Sequence, residues 1–313
     1  MSNIIINKAK DVINDYFKYQ PLKLYLDTLN NLKTIKFHNI IIHIICNSND
    51  DIDMKYIKKV LNRAYKITMH INKIFNIHLV LSPFKKEFNP NNPIILDKHN
   101  CNSGLTYVYF NNDVPSVNIY IIRKEEFGKV IIHEIIHHIS LIHSSFKYSN
   151  IKKLKDHFKI HPNADIDPNE TIVELCATIF HLNELSIENN QDLYNLFKEE
   201  LKYSLYKTQQ LLQLQKQMKD GIWYEKSNIY CYIIFKTIIF YNISDFIKIY
   251  TFPYNDDIIT EFIINHSGFL SSLSSLPLSS LPLSSLSSLS SLPSKIINIR
   301  PLNSLCFMVH SDL

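Results

Sequence analysis

Only four glycines (Gly104, Gly128, Gly221 and Gly268) serve all 313 residues, and that scarcity removes whole classes of fold and function. A backbone that wraps a pyrophosphate needs glycines at short fixed spacings, as in GxGxxG or GxxxxGK[ST]. No two of these four stand close enough, so Rossmann dinucleotide binding and P-loop phosphate binding are excluded on their usual signatures. The broad balance of the chain is mild by comparison. A net charge of +4 is too small to argue for nucleic acid or an anionic membrane surface. Hydrophobic residues at 46% suffice for one large domain or two small ones.

Five cysteines (Cys46, Cys101, Cys176, Cys231 and Cys306) are spread singly, with no CxxC. A disulfide framework or a cysteine zinc cluster would need pairs at short spacing, so free thiols in a reducing compartment are expected. The first residues carry charges where a signal peptide would be apolar. No run reaches the ~20 apolar residues of a membrane span. The expectation is a soluble, cytoplasmic chain.

Three zones follow from pattern. Residues 1–123 alternate helix and strand signals, with strands expected over 40–46, 77–81, 105–110 and 117–122 and one helix over 52–75. Residues 85–103, with two prolines, read as a loop, and the last two strands flank a hairpin turn. Residues 124–266 turn helical, with helices over 124–143, from Asn169 as N-cap to about 185, over 190–219, 227–241 and 256–264. Residues 267–313 form a Ser/Leu/Pro tail whose SSL and SLP units lack charge and predict disorder. The fold class expected is α+β, a small mixed sheet with an active-site helix and then a mostly helical half.

The chemistry is concentrated in His133-Glu134-Ile135-Ile136-His137, an HExxH motif. At roughly 100° per residue, the i,i+4 spacing puts both imidazoles on one helical face, where two nitrogens can converge on one zinc. Ile131, Ile132, Ile135, Ile136, Ile139 and Ile142 fall on the opposite arc, leaving the motif face for a cleft. His138 borders that face. A catalytic zinc needs a third protein ligand, and His143, Glu170 and Glu174 compete for it. His143 has the metzincin spacing HExxHxxGxxH, but Ser140 stands where the helix-breaking glycine belongs. On a continuing helix, His143 would face the core. Glu170 and Glu174 lie at i,i+4 opposite an apolar arc of Ile172, Val173, Leu175, Cys176, Ile179 and Phe180.

The combination of HExxH with the downstream Asn169-Glu170-Thr171-Ile172-Val173-Glu174 resembles the gluzincin zinc metallopeptidases, whose pattern is HExxH followed by (N)ExxxD or a relative. The resemblance covers about residues 117–180 and implies His133, His137 and Glu170 as zinc ligands. It implies Glu134 as general base and Glu174 as the acid that orients a ligand histidine, with Glu where many members have Asp. Zinc would acidify a bound water, and Glu134 would take its proton and pass it to the leaving amine. An oxyanion donor is sought among the downstream tyrosines, with Tyr230 and Tyr232 preferred and Tyr232 put forward. The partner implied is a peptide or protein substrate, laid along strand 105–110 or 117–122 by strand addition. Two rivals remain: a catalytically silent interaction protein on the same fold, and a metzincin-like peptidase using His143.

Overall fold

The computed structural model describes residues 2–47, 50, 52–86, 96–111, 114–139, 146–250 and 255–275. The chain divides into two compact units, Met1–Glu87 with Lys98–Ile139, and Phe88–Asp97 with Ser140–Leu313. The architecture is α+β.

In the first unit, α1 (Ser2–Phe17) and α2 (Gln20–Thr28) precede β1 (Asn31–Phe37), β2 (Ile40–Cys46), α3 (Met54–Thr68) and β3 (Ile74–Ser82). The short strand β4 (Leu96–Asp97) belongs to the second unit. The first unit then closes with α4 (Lys98–Cys101), β5 (Gly104–Asn111), β6 (Val114–Arg123) and α5 (Phe127–Ile136). Five strands make one mixed sheet in the order β1-β2-β3-β6-β5, parallel at β2-β3 and β3-β6 and antiparallel at both outer pairs.

Helices on both faces explain the near-continuous apolar runs of β2 and β3. On one face Ile42, Ile44, Ile77, Leu79, Ile119 and Ile121 are buried. There α5 lies against β5 and β6, and α3 against α5. On the other face Ile45, Val80, Tyr120 and Ile122 join Ile6, Ile13, Leu22 and Leu26 of α1 and α2 in one core cluster. Asp53 starts α3 by accepting a hydrogen bond from the Tyr56 amide at 2.9 Å.

Several expectations for this unit are corrected. The sheet gains β1, and α1, α2 and α4 join the single helix expected. That helix, expected over 52–75, stops at Thr68, because Ile74 opens β3 by pairing with Ser116. The helix expected over 124–143 shrinks to α5. Glu126, at φ 55°, is left-handed and marks its start. At its end the amides of His138 and Ile139 bond the carbonyls of Ile135 and Ile136, a tightened final turn. With the helix ending at Ile136, the core-facing placement expected for His143 does not follow, and His143 lies outside the described residues. Because β6 sits between β3 and β5, only β5 of the hairpin lies at a sheet edge, so strand addition at 117–122 is ruled out.

The second unit is helical: α6 (Tyr148–His157), α7 (Asn169–Asn189), α8 (Leu193–Gln217), α9 (Lys236–Tyr241), α10 (Ile243–Ile249), α11 (Asp256–Asn265) and α12 (Phe269–Ser275). A second small strand, β7 (Glu225–Lys226), pairs with β4, and Cys231–Phe235 forms one π-helical turn. Asp192 and Asn255 cap α8 and α11 through their side chains. The N-cap of α7 is Pro168, one residue before the expected Asn169.

The tail also needs correction over its first residues. Phe269–Ser275 is helical, because the SSL unit places Leu270 and Leu273 at i,i+3, and both are buried. The Phe269 ring stacks on Tyr241 at 4.5 Å, and Lys216 donates to the Ser274 carbonyl at 2.7 Å. The disorder expected for the rest of the tail concerns residues 276–313, which lie outside the described residues.

Candidate metal centre

The HExxH helix is buried on every side rather than open along its motif face: His133 and Glu134 are each only 7% exposed. His137, the C-cap, and His138 are half-buried. The two motif histidines meet at their tips, with Nε2 atoms 3.3 Å apart and rings at 72°. Two nitrogens each about 2.0–2.1 Å from one tetrahedral zinc stand roughly 3.3–3.4 Å apart, so the donor chemistry and spacing of this pair fit that ion.

Edge strand β5 supports the helix at two points. Gly104 faces Glu134 so closely that a Cβ there would lie 2.7 Å from Glu134 Oε1. Two residues on, Thr106 Oγ1 and His138 Nε2 share a hydrogen bond of 2.6 Å. Lys73, from the segment before β3, donates to the His138 carbonyl at 2.9 Å. Burial, then the charges of His137 and Lys73, push the His138 imidazole down to about 4. His138 is therefore neutral near pH 7 and ties the end of the motif to β5. Sequence reading missed Gly104, Thr106 and Lys73. The one available signal was a solitary glycine in a strand pattern, which marks a close backbone approach.

In the second unit, Glu170 occupies the first turn of α7, where the helix dipole favours a carboxylate. Asp167 fixes that turn, accepting from the backbone and side-chain nitrogens of Asn169 at 3.0 and 2.9 Å. Glu174 lies one turn later and, like Glu170, is half-buried. Behind them the expected apolar arc is buried throughout, from Ile172 to Phe180. Tyr232 is half-buried in the π-helical turn. Tyr230, preferred beside it, is a core residue whose hydroxyl donates to Gln215 Oε1 at 3.1 Å.

An unforeseen buried acid stands in the same unit. Glu225 is fully buried and accepts from the amides of Ile229 and Tyr230 and the Ser227 hydroxyl. Burial outweighs these donors and raises its carboxyl to about 7. Its bonds cap a local turn, which is a structural role. Among the described residues Cys46, Cys101, Cys176 and Cys231 are buried. No described helix is long and apolar enough to cross a membrane.

Comparison of the chain with protein-family models, curated proteins and solved structures finds no match.

Proposed function

We propose that this chain is a zinc-dependent peptidase of gluzincin type, with His133, His137 and Glu170 as the three ligands. The observation that carries the proposal is the His133–His137 pair, 3.3 Å apart at the nitrogens, with Glu134 between them in sequence. Two imidazoles and one carboxylate are a ligand set typical of a hydrolytic zinc site, which keeps one position for water or substrate. When bound, zinc would supply Lewis-acid polarisation of the scissile carbonyl and a more acidic water.

The remaining roles belong to the chain's own side chains. Glu134, buried and held against Gly104, would accept a proton from the attacking water and deliver it to the leaving amine. Glu174 would orient a ligand histidine by a hydrogen bond, and Tyr232 would donate to the developing oxyanion. β5, at the sheet edge, offers backbone groups to an extended peptide. Glu134 also weighs against a silent interaction protein, since a structural zinc site has no use for that acid.

The test is Glu134→Gln against wild type on a quenched-fluorescence peptide library. Hydrolysis should fall about 100- to 10,000-fold with zinc retained, because a base is removed and no ligand is. Equal rates would refute the assigned chemistry, and a wild type that cleaves nothing while holding zinc would favour the interaction protein.

A further inference from the structure

Gly104 stands apart from the other glycines because the space it leaves is filled by the Glu134 carboxylate together with the Val130 side chain. A Cβ added there would lie 2.7 Å from Glu134 Oε1, 3.1 Å from Glu134 Cγ and 2.9 Å from Val130 Cγ1. Gly221 and Gly268 have nothing within 4 Å of such an atom, and Gly128 meets Tyr56 and Val60 of α3. Gly104 is not glycine for the sake of its backbone angles: its φ is not in the left-handed region, and it pairs regularly with Ile121 in the β5–β6 ladder. A side chain would cost that strand nothing locally, and strands generally favour one. The missing side chain thus serves what lies opposite, the Glu134 carboxylate and the helix wall at Val130.

We propose that Gly104 is a positioning residue for Glu134: its bare Cα forms the slot that fixes where the Glu134 carboxylate sits. Thr106 completes the slot from the same strand by holding His138, four residues after Glu134. The two contacts lie at i and i+2 on β5, so they share one face of the strand and hold the last turn of α5 and the turn that follows it. Of the groups that an added methyl would strike, Glu134 Oε1 is the end of a flexible side chain and gives way first. The predicted consequence is a displaced carboxylate on an otherwise intact fold. The catalytic consequence rests on the peptidase reading above; the positional claim does not.

The experiment uses full-length Gly104→Ala, with Val130→Ala and Gly104→Ala/Val130→Ala as companions that relieve only the contact with the helix wall. Crystal structures of the zinc-free wild type and variants should show the Glu134 carboxylate shifted by several tenths of an ångström or more in both variants that carry Gly104→Ala. On the best-cleaved library peptide, kcat should drop about 100-fold, the scale of a misplaced group, with KM and zinc content unchanged. The double variant should keep that loss, while Val130→Ala alone should not show it. If the double variant recovers wild-type kcat and carboxylate position, Gly104 serves only helix–strand packing and the proposal falls. An unmoved carboxylate in Gly104→Ala also overturns it, whether or not the protein proves to be a peptidase. Should Gly104→Ala fail to fold, the double variant decides between the same outcomes.

Discussion

The two helices that carry the proposed ligands are built in opposite ways. α5 has 10 residues, all buried except Lys129, and contributes His133 and Glu134 at 7% exposure each. α7 has 21 residues, buries one face and keeps Glu170 and Glu174 half-buried on another. In α5 the groups with chemistry are packed as tightly as the isoleucines, and their positions depend on what β5 leaves open. In α7 the acids sit on a partly exposed face, and an Asp167–Asn169 turn sets where the helix begins. A buried motif gains precision from its neighbours and tolerates few changes around it. A half-buried one gains adaptability and carries less information about its partner.

The largest effect that can break this comparison is on metal affinity. Glu170→Gln should weaken zinc binding more than Glu174→Gln, whose loss should be about 10- to 100-fold, and His143→Gln should leave zinc affinity near wild type. Chelator competition measures all three. A variant set in which His143→Gln loses zinc and Glu170→Gln retains it would replace the gluzincin reading with the metzincin-like one.

Acid should act on the two units with opposite sign. In the first unit His78 is stacked between His43 and Tyr120 at 5.0 and 4.6 Å. Burial, then the charges of His43 and Lys8, push it down to about 4, against the Asn118 hydrogen bond. Its unfolded form protonates near 6.5, so its contribution is complete above that pH and is lost as pH falls toward 4. Glu225 in the second unit runs the other way. With its folded value raised to about 7, its contribution is complete below the unfolded value and is lost as pH rises through 7. Each shift is worth roughly 3 kcal/mol at about 1.4 kcal/mol per unit. Trp223, the one tryptophan, lies in the second unit 5.7 Å from Tyr230, so its fluorescence should show a higher urea midpoint at about pH 5.5 than at about 7.5. Hydrogen-exchange protection factors in β3, with the intrinsic pH dependence of exchange divided out, should fall over the same drop. Parallel responses would remove the contrast.

The smallest effect concerns α12. Leu273→Ala should cost about 2 kcal/mol, the low end for a buried leucine, measured by chemical denaturation with the α8 side of the second unit most affected. No change would return Phe269–Ser275 to the disordered reading.

What was legible in the sequence follows from the same contrast. HExxH was legible because i,i+4 geometry is local and needs no knowledge of the fold. Strand β2 was read with the bounds it has, since a run of buried β-branched residues has few alternatives. β1 was not read: NLKTIKF is half exposed and owes its strand state to pairing with β2. α12 was missed because serine masks a leucine pair, and the helix is held by packing on α8 and by Phe269 on Tyr241. Gly104, Thr106 and Lys73 escaped because their importance lies in what they face across the chain. Glu225 reads as an ordinary surface acid until the helical turn it caps has formed.

The central claim is that one zinc ion is held by His133, His137 and Glu170. Equilibrium dialysis of the folded, full-length chain against zinc, followed by metal analysis, tests it most directly. About one zinc per chain in wild type, lost in both His133→Ala and His137→Ala with circular dichroism unchanged, is the expected result. A folded wild type that takes up no zinc, or histidine variants that keep it, would contradict the claim.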